Sequence, residues 1–302
     1  MASLKSWKTL TTAVSAMVMA ASLAACSAPE AVPGGGKEAA QPAAAAAEQP
    51  QSASGAESAA EAKFNAIAEQ KVMAVLWYQS AAEAKALYYQ GYNIGKWKLD
   101  AALAQGTAKK PAIVLDLDET VLDNSPFDAV EIASGKGHPY KWDEWVNKAE
   151  AKAVPGAVEF LNYADGKGVD IYYISDRSAA QTEATVKNLQ AIQAPQAVSG
   201  HVLLKQPEEK GKEARFNQVS ETHEIVLFFG DNLKDFYGFV GNSEQDRDRR
   251  ADEVRQQFGD KLIVFPNPMY GDWESAIYNN NNKISAEEKD KLRKSHLHIF
   301  DK

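Results

Sequence analysis

The sequence predicts an α/β protein on a doubly wound, mostly parallel sheet, with a helical segment before the sheet and a small insertion after its first strand. Three observations predict this. Short continuous apolar runs, rich in β-branched and aromatic residues, recur between stretches of helical pattern, as strands buried on both faces do. Polar and charged residues collect at the carboxyl ends of those runs, where open parallel sheets place their ligand crevice. Once a low-complexity N-terminus is set aside, about 240 of the 302 residues remain, enough for one large domain.

The elements follow in chain order. Residues 1–25 read as an export signal, with Lys5 and Lys8 ahead of a small apolar stretch. The single cysteine, Cys26, ends the run Leu23-Ala24-Ala25-Cys26, which resembles a bacterial lipobox, so lipid such as palmitate is expected on it. A lone cysteine also excludes an intrachain disulfide and any multi-cysteine metal site. Several chains on one cysteine would hold a membrane stably, whereas one holds it marginally. Ser27, rather than Asp, follows the cysteine, as in sorting to a bacterial outer membrane. Residues 26–60 are Ala, Gln, Pro, Gly and Glu with almost nothing large and apolar, the composition of a disordered tether.

The expected folded domain spans 61–302. Residues 61–105 show helical spacing, with Gly91 and Gly95 as candidate breaks and the aromatics Trp77, Tyr78, Tyr88, Tyr89, Tyr92 and Trp97 as packing groups. The period then changes. Strands are expected at 112–115, 169–174, 202–204, 224–229 and 261–265, with helical stretches such as 155–164 between them. Asp116 and Asp118 follow the first run, Ser175, Asp176 and Arg177 the second, Lys205 the third, and Asp231 and Asp235 the fourth. Convergence of these ends would bring the polar groups around one crevice.

The net charge of −8 and the absence of a basic stripe argue against a general nucleic-acid binder. The five histidines are scattered, and His296 and His298 lack the i, i+4 spacing of a helical metal site. Of the paired carboxylates, one can attack phosphorus and the other can protonate the leaving oxygen and later activate water. An isolated Asp-x-Asp is more often a strand-end turn with a helix N-cap.

The wider set of motifs turns that balance. Asp116-x-Asp118-x-Thr120-Val121, then Ser175, Lys205 and Gly230-Asp231-Asn232-x-x-Asp235, resembles the four motifs of the haloacid dehalogenase superfamily, in its four-aspartate branch. The run 113–126, Ala153-Val154-Pro155-Gly156-Ala157, the segment 225–236 and Pro266-Asn267-x-x-Tyr270-Gly271-x-Trp273-Glu274 resemble class C acid phosphatases, the lipid-anchored bacterial phosphatases and 5′-nucleotidases. The resemblance covers about residues 64–273.

The resemblance implies a haloacid dehalogenase-like core and a set of roles. Asp116 is the nucleophile and Asp118 the general acid/base. Ser175 holds a phosphoryl oxygen, and Lys205 offsets charge on nucleophile and phosphate. Mg²⁺ is the cofactor, bound by Asp231, a carboxylate oxygen of Asp116 and the backbone carbonyl of Asp118, with Asp235 as the remaining signature carboxylate. The insertion, 124–153, caps the site. Phe127, Trp142 and Tyr270 are then expected to clamp the leaving group, with Trp145 able to share the helix face of Trp142. Asp176 departs from the family, which carries Asn there, and adds negative charge near the phosphate.

The function expected from this is lipid-anchored, Mg²⁺-dependent hydrolysis of small phosphomonoesters, nucleoside 5′-monophosphates among them, through an aspartyl phosphate. The expected location is the cell envelope, at the bacterial outer membrane. Partners are the substrate, the membrane and, as an open option, a second copy of the chain. The rival readings are a non-catalytic surface lipoprotein that binds a small ligand or haem, and a phosphotransferase that delivers the phosphoryl group to an alcohol.

Overall fold

The computed structural model describes residues 67–300. The export signal, Cys26, the tether and the start of the first helical stretch lie outside the described residues.

Five strands form a parallel sheet in the order β5-β4-β1-β6-β7. They are β1 (Lys110–Leu115), β4 (Asp170–Ser178), β5 (Val202–Lys205), β6 (His223–Gly230) and β7 (Leu262–Val264). All four neighbouring pairs run parallel. Successive side chains of a strand point to opposite faces, and β1 shows the result. Ile113 and Leu115 join the apolar cluster on one face, whereas Ala112 and Val114 join the cluster on the other. Each fully buried aliphatic side chain contributes about 1.5–3 kcal/mol, so the central strand is fixed from both sides.

Helices α1 (Val72–Ser80) and α2 (Ala82–Gln105) precede the sheet. Helix α2 packs on β6, β7 and α5 (Ala157–Gly166). Gly91 and Gly95 do not break it. A Cβ on Gly91 would come within 2.4 Å of the Phe265 ring, and one on Gly95 within 2.7 Å of Phe229. The two glycines let the helix lie against aromatic rings, which is why they sit inside it. Tyr88 and Tyr92 are packing groups as expected, stacked or tilted on Phe265 at 4.9 and 4.7 Å. Trp97 instead stands 68% exposed.

The insertion is closed at its base by a two-stranded antiparallel pair. In it β2 (Leu122–Asp123) meets β3 (Lys152–Ala153), with Leu122 opposite Ala153. Between them lie α3 (Ser125–Ser134) and α4 (Trp142–Lys148). Pro126 sits in the first turn of α3, where its missing N–H costs nothing, and Gly135 ends that helix in the left-handed region. Helix α1 packs against α3, so the N-terminal segment and the insertion flank the same end of the sheet. The remaining helices are α6 (Thr182–Ala191), α7 (Glu213–Thr222), α8 (Glu244–Glu253), α9 (Asp272–Ile277) and α10 (Ala286–Ser295). Among the described residues no helix is long and apolar enough to cross a membrane.

Candidate active site

The chain winds from β1 to one side of the sheet and returns to the other, so the strand order reverses beside β1. At such a reversal the carboxyl ends of the strands leave a crevice. Asp116 is the first residue past β1, and its N–H donates to the Phe229 carbonyl of β6 at 2.9 Å. Asp231 and Asp235 follow β6. Carboxylate oxygens of Asp116, Asp231 and Asp235 all lie within 4.8 Å of one another.

The ammonium among them belongs to Lys212, not Lys205. Lys212 is 2% exposed and donates to Asp116 Oδ1 and, at 2.7 Å, to Asp235 Oδ1. Burial opposes its charge, but Asp116 and Asp235 outweigh burial and hold it protonated well beyond an ordinary lysine. Lys205 ends the edge strand β5, with Ser178 as its register partner, and does not line the cavity at Asp116. Three lysines lie between the end of β5 and the start of α7, at 205 on the last strand position and at 210 and 212 in the loop. Spacing after a strand favours the first, but the chain turns back over the crevice only at the third.

One lysine does not balance three carboxylates, of which Asp116 and Asp235 are buried and Asp231 is half-buried. Burial pushes the Asp231 carboxyl up to about 7, reinforced by Asp235 and relieved in part by an Asn267 side-chain N–H at 2.7 Å. Burial likewise raises Asp116, with Lys212 opposing and Asp235 and Asp231 adding to the rise. Close, buried oxygens in excess of their counter-charge suit a hard divalent cation, which takes oxygen ligands and keeps several waters.

Asp118 faces the same cavity and is held by four donors. Arg177 reaches its Oδ1 with Nε at 2.9 Å and Nη2 at 2.7 Å, Asn124 Nδ2 donates at 2.8 Å, and Ser175 Oγ donates to Oδ2 at 3.2 Å. Ser175 is wholly buried within β4, which continues to Ser178 rather than stopping at 174. Its hydroxyl therefore lies beside Asp118. The sequence places Arg177 among the strand-end groups expected around the crevice but assigns it no role there. Here it is 2% exposed, and its guanidinium lies 5.5 Å from the Trp142 ring centroid.

Asp176 does not stand as a bare charge. Lys234 pairs with it at 3.0 Å and Arg215 at 3.4 Å. Burial works against its ionised form, but Lys234 and then Lys212 outweigh it, so the carboxyl lies below the usual carboxylate range. The substitution for Asn is thus electrically answered.

The loop after Asp118 turns through Glu119, whose φ is 56°. Two tyrosines of α2 hold that turn: Tyr88 donates to the Glu119 carbonyl, and Tyr92 to the Thr120 carbonyl at 2.5 Å. The Glu119 carboxyl is fully buried, accepting from Asn124 N–H at 2.6 Å and from the Tyr270 hydroxyl. The late Tyr-Gly-x-Trp segment is thereby tied to the Asp116–Asp118 loop. No spacing in the sequence signals that tie.

Asp116, Asp118, Asn124, Arg177, Lys212, Asp231 and Asp235 border a cavity of about 680 Å³, within the usual size range for small-molecule sites. Phe127, Trp142 and Tyr270 all line it. Phe127 meets Trp142 edge-to-face at 5.0 Å, and His138 lies 5.7 Å from Trp142. Trp145 is not part of this wall. Its indole N–H donates to Asn124 Oδ1 at 2.8 Å and so braces the residue that holds Asp118. Of the expected set, Asp116, Asp118, Ser175, Asp231, Asp235, Phe127, Trp142 and Tyr270 meet around this crevice, whereas Lys205, at the same end of the sheet, does not line it.

A parallel α/β sheet with a buried Asp past its central strand, faced by a lysine and two further aspartates, defines a phosphohydrolase of the haloacid dehalogenase type. More narrowly, the chain belongs to the HAD superfamily, subfamily IIIB, the acid phosphatases, whose model matches residues 37–273. A solved class C acid phosphatase from Bacillus anthracis is 62% identical, with a TM-score of 0.77, covering 78% of this chain and 99% of that one. A second structure of that protein, with tungstate bound, is likewise 62% identical at a TM-score of 0.77, covering 77% and 98%. The Stem 28 kDa glycoprotein of Glycine max is 28% identical over 163 residues, 53% of this chain and 60% of that protein. The Stem 31 kDa glycoprotein of the same plant is 28% identical over 138 residues, 43% and 47%. The chain thus spans about half the length of these curated relatives.

Proposed function

We propose that the protein is a Mg²⁺-dependent acid phosphatase that hydrolyses small phosphomonoesters, nucleoside 5′-monophosphates among them, through a phosphoryl group carried on Asp116. The observation that carries this reading is the Lys212 ammonium lodged between Asp116 and Asp235 with Asp231 alongside. Binding a ligand does not need that arrangement. Attack by a carboxylate on an anionic phosphate does, because the two repel unless positive charge is fixed between them.

Asp116, Asp231 and Asp235 would hold the cation, together with the backbone carbonyl of Asp118. The cation would supply charge neutralisation and orientation to the phosphoryl group. The chain's own groups perform the steps. An Asp116 oxygen attacks phosphorus, and the ester bond to the leaving oxygen breaks as Asp118 delivers its proton. Asp118 then takes a proton from water, whose oxygen attacks phosphorus and releases Asp116 and inorganic phosphate. Arg177, Asn124 and Ser175 fix where Asp118 points, and Lys212 offsets the charge on the attacking carboxylate. Asp118 must be protonated to donate, so turnover favours the acid side.

Lipid on Cys26 would tether this domain to the envelope, at the outer membrane in a Gram-negative cell. Loss of radiolabelled palmitate on Cys26→Ser tests that placement. Hydrolysis of p-nitrophenyl phosphate by metal-stripped protein, with and without added Mg²⁺, tests the chemistry. Turnover that needs the added cation is expected, and full turnover after rigorous stripping overturns the reading.

A further inference from the structure

Asn124 opens the cap insertion, between β2 and α3, and is 1% exposed. Its polar groups reach in three directions. Nδ2 donates to Asp118 Oδ1 at 2.8 Å. Oδ1 accepts from the Trp145 indole N–H at 2.8 Å and from Arg177 Nη2 at 3.3 Å. The backbone N–H donates to Glu119 Oε1 at 2.6 Å. The amide has one orientation that satisfies these neighbours. An indole N–H and a guanidinium only donate, so the amide oxygen faces them and the amide nitrogen faces Asp118.

Two of these contacts lead on to the aromatic lining of the cavity. Trp145 lies one turn after Trp142 on α4, and side chains three apart share a helix face. Arg177, which also meets Asn124 and Asp118, lies 5.5 Å from the Trp142 ring. The second route starts from Tyr270. Its hydroxyl donates to Glu119 Oε2, and the other oxygen of that fully buried carboxyl accepts from Asn124. Trp142 and Tyr270 both line the cavity, they come from distant parts of the chain, and both routes end on the one residue that touches Asp118.

Resting on the phosphatase reading above, we propose that Asn124 is a positioning residue through which helix α4 and Tyr270 both act on proton delivery by Asp118. The aromatic lining then does more than hold a ring of the leaving group. It also sets where Asp118 points as the ester bond breaks. A carboxyl carried off line still permits departure of a phenolate that needs no proton, but it slows departure of an alkoxide that needs one.

The test removes one hydrogen bond from each route. Trp145→Phe deletes the indole N–H, and Tyr270→Phe deletes the hydroxyl while keeping the ring. The substrates are benzyl phosphate, whose alkoxide leaves poorly, and p-nitrophenyl phosphate, whose phenolate leaves unaided. Both carry a ring. The parameter is kcat/KM, which covers the steps up to departure of the leaving group and excludes hydrolysis of the shared phosphoryl-Asp116. Each variant should lose about tenfold more kcat/KM on benzyl phosphate than on p-nitrophenyl phosphate, a part of the roughly 10²–10⁴ that general acid catalysis supplies. Because both routes run through Asn124, the double variant should show the selective loss of one single variant rather than the product of the two. Replacing Trp145 by 3-benzothienylalanine keeps the ring shape without the N–H. It should reproduce the selective loss, and it carries the test if Trp145→Phe does not fold. Equal losses on the two substrates overturn the proposal and leave Trp145 and Tyr270 as packing or ring-binding groups. Selective losses that multiply in the double variant also overturn it, because the two residues then act by separate routes. Failure of the wild-type protein to hydrolyse p-nitrophenyl phosphate with Mg²⁺ present overturns the phosphatase reading itself, and this inference with it.

Discussion

Replacing Lys212 with Ala, with Lys205→Ala in parallel, separates the two lysines that a strand-end pattern confuses. The side chains of Lys212, Asp116 and Asp235 are 2%, 8% and 3% exposed, so water screens their interaction poorly. At an effective dielectric of 20, unit charges about 3 Å apart attract by roughly 5 kcal/mol, and the cost of desolvating them offsets much of this. Removing one member of such a buried set costs about 3–5 kcal/mol, because the others remain buried without their counter-charge. For a domain of this size that lowers the melting temperature by about 10 °C. Turnover should fall by about 10²–10³, the loss typical of one fixed donor at developing negative charge. The assays are p-nitrophenyl phosphate hydrolysis with saturating Mg²⁺ and thermal unfolding in the metal-stripped state. Added Mg²⁺ should restore part of the lost stability and little of the lost turnover. Lys205→Ala should stay within a factor of a few of wild type in both assays. The reasoning is refuted if Lys205→Ala loses turnover as Lys212→Ala was expected to, while Lys212→Ala keeps it.

Three further outcomes are expected. Asp231, pushed up to about 7, and Asp116, raised in the same direction, hold more protons in the folded than in the unfolded chain at mildly acidic pH. Stability of the metal-free protein should therefore fall as pH rises from about 4 through 7, and the stabilisation by Mg²⁺ should grow over the same range, as thermal melts at each pH would read. Arg177→Lys keeps the charge but loses the two-pronged hold on Asp118. Turnover of alkyl phosphates, which need a proton at the leaving oxygen, should fall at least tenfold more than turnover of p-nitrophenyl phosphate. Gly91→Ala places a Cβ 2.4 Å from the Phe265 ring and should cost about 1–3 kcal/mol in denaturant unfolding, with KM unchanged.

The strands were legible because each is buried on both faces, so Ile113, Val114 and Leu115 form an unbroken apolar run whichever way they point. Asp116, Asp118, Asp231 and Asp235 were legible because strand ends in a parallel sheet converge, and their spacing repeats a known signature. What escaped reading depends on return paths and on partners distant in sequence. Lys205 and Lys212 are both lysines after a short strand, and only the course of the connecting loop selects the second. Gly91 and Gly95 look like breaks, since the rings they admit come from Phe265 and Phe229 on the sheet. Tyr88 and Tyr92 read correctly as packing residues, but their hydroxyls also hold the Glu119–Thr120 turn. Asp128 and Glu131 pass for ordinary solvated charges on a helix until Lys71 and the cavity wall enclose them.

The central claim is that Asp116 becomes phosphorylated during turnover. Acid quenching within the first turnover, followed by borohydride reduction and peptide mass spectrometry, reads the site directly, because an acyl phosphate on Asp is reduced to homoserine. The account predicts homoserine at position 116, present only when substrate and Mg²⁺ are supplied together. Phosphate released in a burst with no modification at 116, or with the phosphoryl group trapped on a histidine, would contradict it.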